Sequence, residues 1–65
     1  MKILVNGALR EIGVPTLEAA LDELGYRDRA IATALNGEFI PATVRANAVL
    51  YEGDRVEVLA PMQGG

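Results

Sequence analysis

The sequence contains no cysteine, no histidine and no tryptophan, and its aromatic residues are two tyrosines and one phenylalanine. Without cysteine there are no disulfide staples and no thiol nucleophile. Without histidine as well, imidazole bases and the usual zinc ligand sets are gone. The remaining side chains form no nucleophile–base pair, so the chain is expected to carry no catalytic residue and no metal site of its own. Long apolar runs are missing too. Met1 to Val5 is shorter than the roughly 7–15 residues of a signal-peptide core, and nothing approaches the roughly 20 apolar residues of a membrane helix. These absences predict a cytoplasmic, reducing setting with no membrane contact. Basic residues are few, six against nine acidic, for a net charge of −3. Binding a phosphate backbone needs a basic stripe. Nucleic acid is therefore not an expected partner, and a basic protein surface suits the chain better.

What is present suffices for one small domain. A chain of 65 residues buries only about 60% of the surface it exposes unfolded, enough for a modest core and no deep pocket. Its 51% hydrophobic and 23% charged content is that of a folded domain rather than a disordered tail. Met1, Ile3 and Val5 alternate with Lys2 and Leu4, the pattern of a strand with one buried face. Asn6-Gly7 then supplies the positive φ angles of a two-residue hairpin turn, and Leu9 to Val14 returns as a second strand ending near Gly13.

One helix is clearly marked. Thr16 is a good N-cap, and Leu17, Ala20, Leu21 and Leu24 form a single apolar stripe. Glu18, Asp22 and Glu23 lie off the stripe in solvent, and Gly25 can adopt the left-handed conformation that closes a helix. At about eight residues it needs a sheet to pack against. Ile31 to Leu35 reads as a strand because Asn36-Gly37 follows and Glu38-Phe39-Ile40 then returns as its partner, stopped by Pro41. Ala42 to Leu50 reads as a loop with a short turn, and Glu52-Gly53-Asp54 as a turn whose carboxylates fix it. Arg55 to Leu59 alternates as the last strand. The order predicts an α+β domain: a mixed sheet of about five strands with one main helix on one face. A right-handed crossover after the helix returns the chain parallel to the first strand or its neighbour. The arrangement is similar to the β-grasp of ubiquitin-like proteins, with first and last strands parallel at the sheet centre. Residues 1–60 would form this domain and 61–65 a flexible tail.

The tail is Pro61-Met62-Gln63-Gly64-Gly65. With glycine at about 7% usage, two closing glycines arise by chance roughly 0.5% of the time. Glycine has no Cβ, so such a backbone can thread a narrow channel and bring a carboxylate close to a reactive phosphate. Extended at about 3.3 Å per residue, the tail would project roughly 16 Å. It could then deliver the carboxylate of Gly65 into another protein's active site while the domain docks outside.

Asn36-Gly37, the run from Gly53 to Val58 and the ending Pro-Met-Gln-Gly-Gly resemble the ThiS family, the sulfur carriers of thiamine thiazole biosynthesis. The resemblance runs the whole chain, including Thr16-Leu17 and Leu24-Gly25 at the two ends of the helix. It implies that an E1-like enzyme of the ThiF type, using ATP and magnesium, adenylates Gly65. A persulfide charged by a cysteine desulfurase would convert the adenylate to a thiocarboxylate, and a thiazole synthase of the ThiG type would receive the sulfur. The chain itself would bind no cofactor. Many relatives place an Arg after the Val-Pro of the fourth strand. Here Ala42-Thr43 follows Ile40-Pro41, and Arg45 comes further on.

By strand parity Leu4 and Leu59 point away from the face of Ile3, Val5, Val56 and Val58. If the first and last strands are adjacent, these leucines would sit together on the helix-free face near Met62, a candidate partner-docking patch. Related carriers for molybdopterin, protein-conjugating ubiquitin-like modifiers, and a β-grasp binding module with an incidental tail are the competing readings.

Overall fold

The two Asn-Gly dipeptides set the framework. In the computed structural model, which describes residues 1–26 and 30–60, Asn6 and Gly7 have φ angles of 50° and 83°, and Asn36 and Gly37 of 51° and 86°. Positive φ at both central positions is the turn whose twist matches that of the strands it joins. The first turn pairs β1 (Lys2–Val5) antiparallel to β2 (Ala8–Glu11), and the second pairs β3 (Ala32–Leu35) to β4 (Glu38–Ile40). The last strand, β5 (Arg55–Leu59), inserts between the hairpins, parallel to β1 and antiparallel to β3. The resulting order is β2-β1-β5-β3-β4. First and last strands are neighbours and β5 is the central strand, as the β-grasp reading requires. After the helix the chain returns in the direction of β2, the neighbour of the first strand.

The helix α1 (Leu17–Glu23) is bounded by its own sequence. Thr16 Oγ1 accepts a hydrogen bond from the Ala19 N–H at 3.3 Å. At the other end the Tyr26 N–H reaches the Leu21 carbonyl at 2.8 Å and the Gly25 N–H reaches that of Asp22 at 3.1 Å. With Gly25 at φ 92°, this is the paired closure that satisfies orphan carbonyls at a helix end. Leu17, Ala20 and Leu21 are buried in one cluster with Ile3, Val5, Val56 and Val58, which places the helix on the inner face of the sheet. Leu24 packs at the margin. At seven residues the helix is held by this packing rather than by its own propensity.

Three expectations need correction. The second strand spans Ala8–Glu11 rather than residues 9–14. Ile12 is buried and its N–H still bonds the Met1 carbonyl at 2.8 Å, but Gly13 and the donor-less Pro15 end regular pairing. Glu23 is not merely solvated: its two carboxylate oxygens accept the Gly13 N–H at 3.3 and 3.2 Å, tying the helix end to the segment before it. Residues 42–50 are no loose loop. Ala42–Asn47 forms a 3-10 helix, after which Thr16 and Val49 bridge, with the Leu17 N–H on the Ala48 carbonyl and the Leu50 N–H on the Pro15 carbonyl, each at 2.8 Å.

Arg45 adds a second tie that orders this segment. It is only 8% exposed. Its Nε donates to Thr33 Oγ1 at 3.0 Å and a terminal nitrogen donates to the Ile31 carbonyl at 2.6 Å. The Thr33 hydroxyl in turn donates a hydrogen bond to the Ile40 carbonyl at 3.0 Å. A buried guanidinium is tolerated where its donors are met, and here they lock the 3-10 helix to β3 and β4.

Candidate functional site

The expected site lies where β5 hands the chain to its C-terminal residues. Met62, Gln63, Gly64 and Gly65 fall outside the described residues. What is described is their root. Leu59 closes β5 opposite Ala32 of β3, and Ala60 follows. At this root β3 still pairs with β5, through Ala32 opposite Leu59, whereas regular pairing with β1 ends at Val56.

The charged groups around the start of β5 serve turns. Asp54 Oδ2 accepts the Tyr51 N–H at 2.8 Å and Oδ1 accepts from Asn36 Nδ2 at 3.2 Å. Glu52 Oε1 accepts the Lys2 N–H at 3.1 Å. Asp54 has the turn-fixing role read from the sequence, whereas Glu52 ties the turn to β1 instead.

Leu4 and Leu59 both lie on the helix-free face, since their strand neighbours Ile3, Val5, Val56 and Val58 point into the core. The register nevertheless separates them. Leu4 sits opposite Arg55, four residues before Leu59, which is roughly 13 Å along the strand at about 3.3 Å per residue. Each leucine has a different companion. Leu4 faces Leu9 across the first hairpin. Leu59, 71% exposed, shares a shallow depression of about 220 Å³ with Phe39, 64% exposed, over a floor that includes Ala32 and Ala34. Phe39 escaped the sequence reading, although the signal was there. A two-residue turn at Asn36-Gly37 sets Phe39 opposite Ala34, and Ala34 opposes the outward Glu57, so Phe39 shares the outer face with Leu59.

These features define the class of protein: an α+β domain of the β-grasp type, with a five-stranded mixed sheet and one α-helix on one face among the described residues. The ThiS family model matches residues 3–65, and the chain belongs to the ThiS family. It is 36% identical over 63 residues to the sulfur carrier protein ThiS of Thermus thermophilus, covering 97% of this chain and 98% of that protein. It is also 36% identical over 66 residues to a thiazole synthase of Paramagnetospirillum magneticum; all of this chain is covered, but the chain spans only 20% of that protein's length. Among solved structures, the crystal structure of the thiamine biosynthesis protein ThiS of Geobacter metallireducens superposes with a TM-score of 0.84 at 28% identity over the whole of both chains. The solution structure of a thiamine biosynthesis protein from the same organism gives 0.80 at 26% identity, covering all of this chain and 88% of that one. No described helix is long and apolar enough to cross a membrane.

Proposed function

We propose that this chain is a sulfur carrier of thiamine thiazole biosynthesis, loaded and unloaded at the carboxylate of Gly65 by partner enzymes, in the cytoplasm. The observation that carries the reading is the extent of the family match. It runs from residue 3 through residue 65 and so includes the Gly-Gly ending as well as the domain. The length agreement with the Thermus carrier supports it. A thiazole synthase that contains a stretch similar to this whole chain supports a synthase of that kind as the acceptor.

The chemistry asks little of the carrier. A C-terminal carboxylate has a reference pKa of about 3.5 and is ionised near neutrality. In the active site of an E1-like enzyme it attacks the α-phosphorus of magnesium ATP. A carbon–oxygen–phosphorus linkage forms and pyrophosphate leaves. The acyl-adenylate is a mixed anhydride, so the terminal sulfur of a persulfide, supplied through a cysteine desulfurase, attacks the acyl carbon and displaces AMP. A second thiol then cleaves the resulting acyl disulfide, forming a disulfide with the donor and leaving the thiocarboxylate. Gly64 and Gly65 have no side chains to obstruct entry, and Met62 and Gln63 connect them to the root. The carrier is a substrate throughout and not a catalyst. In this reading the Leu59–Phe39 depression is where the activating enzyme seats the domain. Apolar surface of this kind marks interfaces, and Leu4, which does not line the depression, is left out of the docking surface.

ATP–pyrophosphate exchange by the activating enzyme tests the reading. The full chain should support exchange, a chain lacking Gly64 and Gly65 should support none, and Leu59→Arg should weaken it by at least about tenfold through lost docking. Exchange that survives loss of both glycines would refute the carrier reading. Exchange unaffected by Leu59→Arg would remove the depression from the docking surface.

A further inference from the structure

We infer that Asn6 is a positioning residue for this charging reaction: its carboxamide pins the end of β5 and so sets the direction in which the chain leaves the sheet. The inference rests on the carrier reading above.

Regular pairing of β1 with β5 covers only Leu4 with Arg55 and Val5 with Val56. The Asn6 N–H adds one more bond, to the Val56 carbonyl at 2.9 Å. There β1 stops, because Asn6 takes φ 50° and the chain turns away into β2. The central strand continues to Leu59. The next rung on the β1 side belongs to Val58, whose N–H and carbonyl have no backbone partner left there. Asn6 supplies it from its side chain. Oδ1 accepts the Val58 N–H at 2.8 Å, and Nδ2 donates to the Val58 carbonyl at 3.1 Å. A carboxamide carries the same donor and acceptor as a peptide unit, so it replaces the missing rung.

Backbone geometry does not by itself call for asparagine at this place, since glycine takes a positive φ with less strain. The bonds to Val58 account for the side chain. Asn36 does related work at the opposite end of the same strand, where Oδ1 accepts the Arg55 N–H at 2.9 Å. The central strand is thus held at both ends by asparagines of two hairpin turns, one on each side. The end held by Asn6 lies two residues before Ala60, where the described chain stops. A carboxylate at the end of a short tail is placed by its root as much as by its own residues. A displacement of about 1 Å at a reacting group can cost about 100-fold in rate.

Asn6→Gly keeps the turn, because glycine accepts the same φ, and removes only the carboxamide. The wild type and this variant are compared in ATP–pyrophosphate exchange with the activating enzyme, and by hydrogen exchange of single amides. The expected result is a fall in kcat of about tenfold that exceeds any rise in KM, because Asn6 only borders the docking depression and Leu59 and Phe39 are untouched. The Val58 and Leu59 amides should exchange faster while Ile3 and Val5 stay protected. Asn6→Asp gives a chemical signature. The carboxylate still accepts from the Val58 N–H but turns a second negative oxygen toward the Val58 carbonyl, which raises its folded-state pKa. Its melting temperature, low relative to the wild type at pH 7, should recover toward it as pH falls and the protonated carboxyl becomes a donor. Equal kcat for Asn6→Gly beside a wild type that charges, or an Asn6→Asp deficit that ignores pH, would overturn the role of Asn6 alone. A wild type that supports no exchange would overturn the carrier reading beneath it.

Discussion

Thr33 and Arg45 act as one unit although they sit twelve residues apart. The Thr33 hydroxyl accepts from Arg45 and donates to the Ile40 carbonyl, so neither side chain can be removed without stranding a buried partner of the other. Arg45→Ala leaves the Ile31 carbonyl and Thr33 short of a donor and should lower unfolding stability by about 2–3 kcal/mol; Thr33→Val should cost about 2 kcal/mol. The two losses should not add: urea denaturation of the double variant is expected to expose a coupling of about 1 kcal/mol. Strict additivity would mean that the buried contact carries no energy of its own. Nothing local marks Arg45 as buried. Arginine is ordinarily exposed, and its acceptors, Ile31 and Thr33, lie just before and on a strand that the sequence alone does not bring beside it.

At the scale of elements, what was legible was what is encoded within a few residues. Asn6-Gly7 and Asn36-Gly37 demand left-handed backbone, and Thr16 with Gly25 brackets the helix to within a residue. Gly25→Ala tests this directly. A Cβ there would meet no atom within 4 Å, so the whole penalty comes from holding alanine at φ 92°, about 1–2 kcal/mol, measured as a lower urea midpoint at unchanged slope. A neutral substitution would mean that the closure of α1 relaxes away from this geometry. The 3-10 helix at Ala42–Asn47 was not legible. Its apolar residues follow neither helical nor strand period, and its order comes from Arg45 and from pairing of residues 48–50 with residues 15–17. The separation of Leu4 from Leu59 was hidden for a similar reason. Parity assigns a side chain to a face, but the register of two parallel strands some fifty residues apart is set by no turn. Asn6 was read as turn chemistry alone because its bonds to Val58 depend on that same register.

For the whole molecule, the architecture is compatible with the proposed carrier role, which asks few chemical groups of the chain. The sheet places its last strand at the centre, β1 and β3 hold it from both sides, and an apolar depression opens on the face opposite the helix. Fold and family were legible because the hairpin, helix, hairpin and strand order admits few closures, and because the Gly-Gly ending accompanies it along the full length. The proposed reactive end rests on the sequence alone, because Met62, Gln63, Gly64 and Gly65 lie outside the described residues. The central claim is that sulfur is carried on the carboxylate of Gly65. Intact-mass spectrometry of the chain after incubation with its activating enzyme, ATP and a persulfide donor tests this most directly. The account predicts a product in which one oxygen has been exchanged for one sulfur, with fragmentation placing the change at Gly65. An unchanged mass, or a mass corresponding to a conjugate with a lysine of another protein, would contradict it.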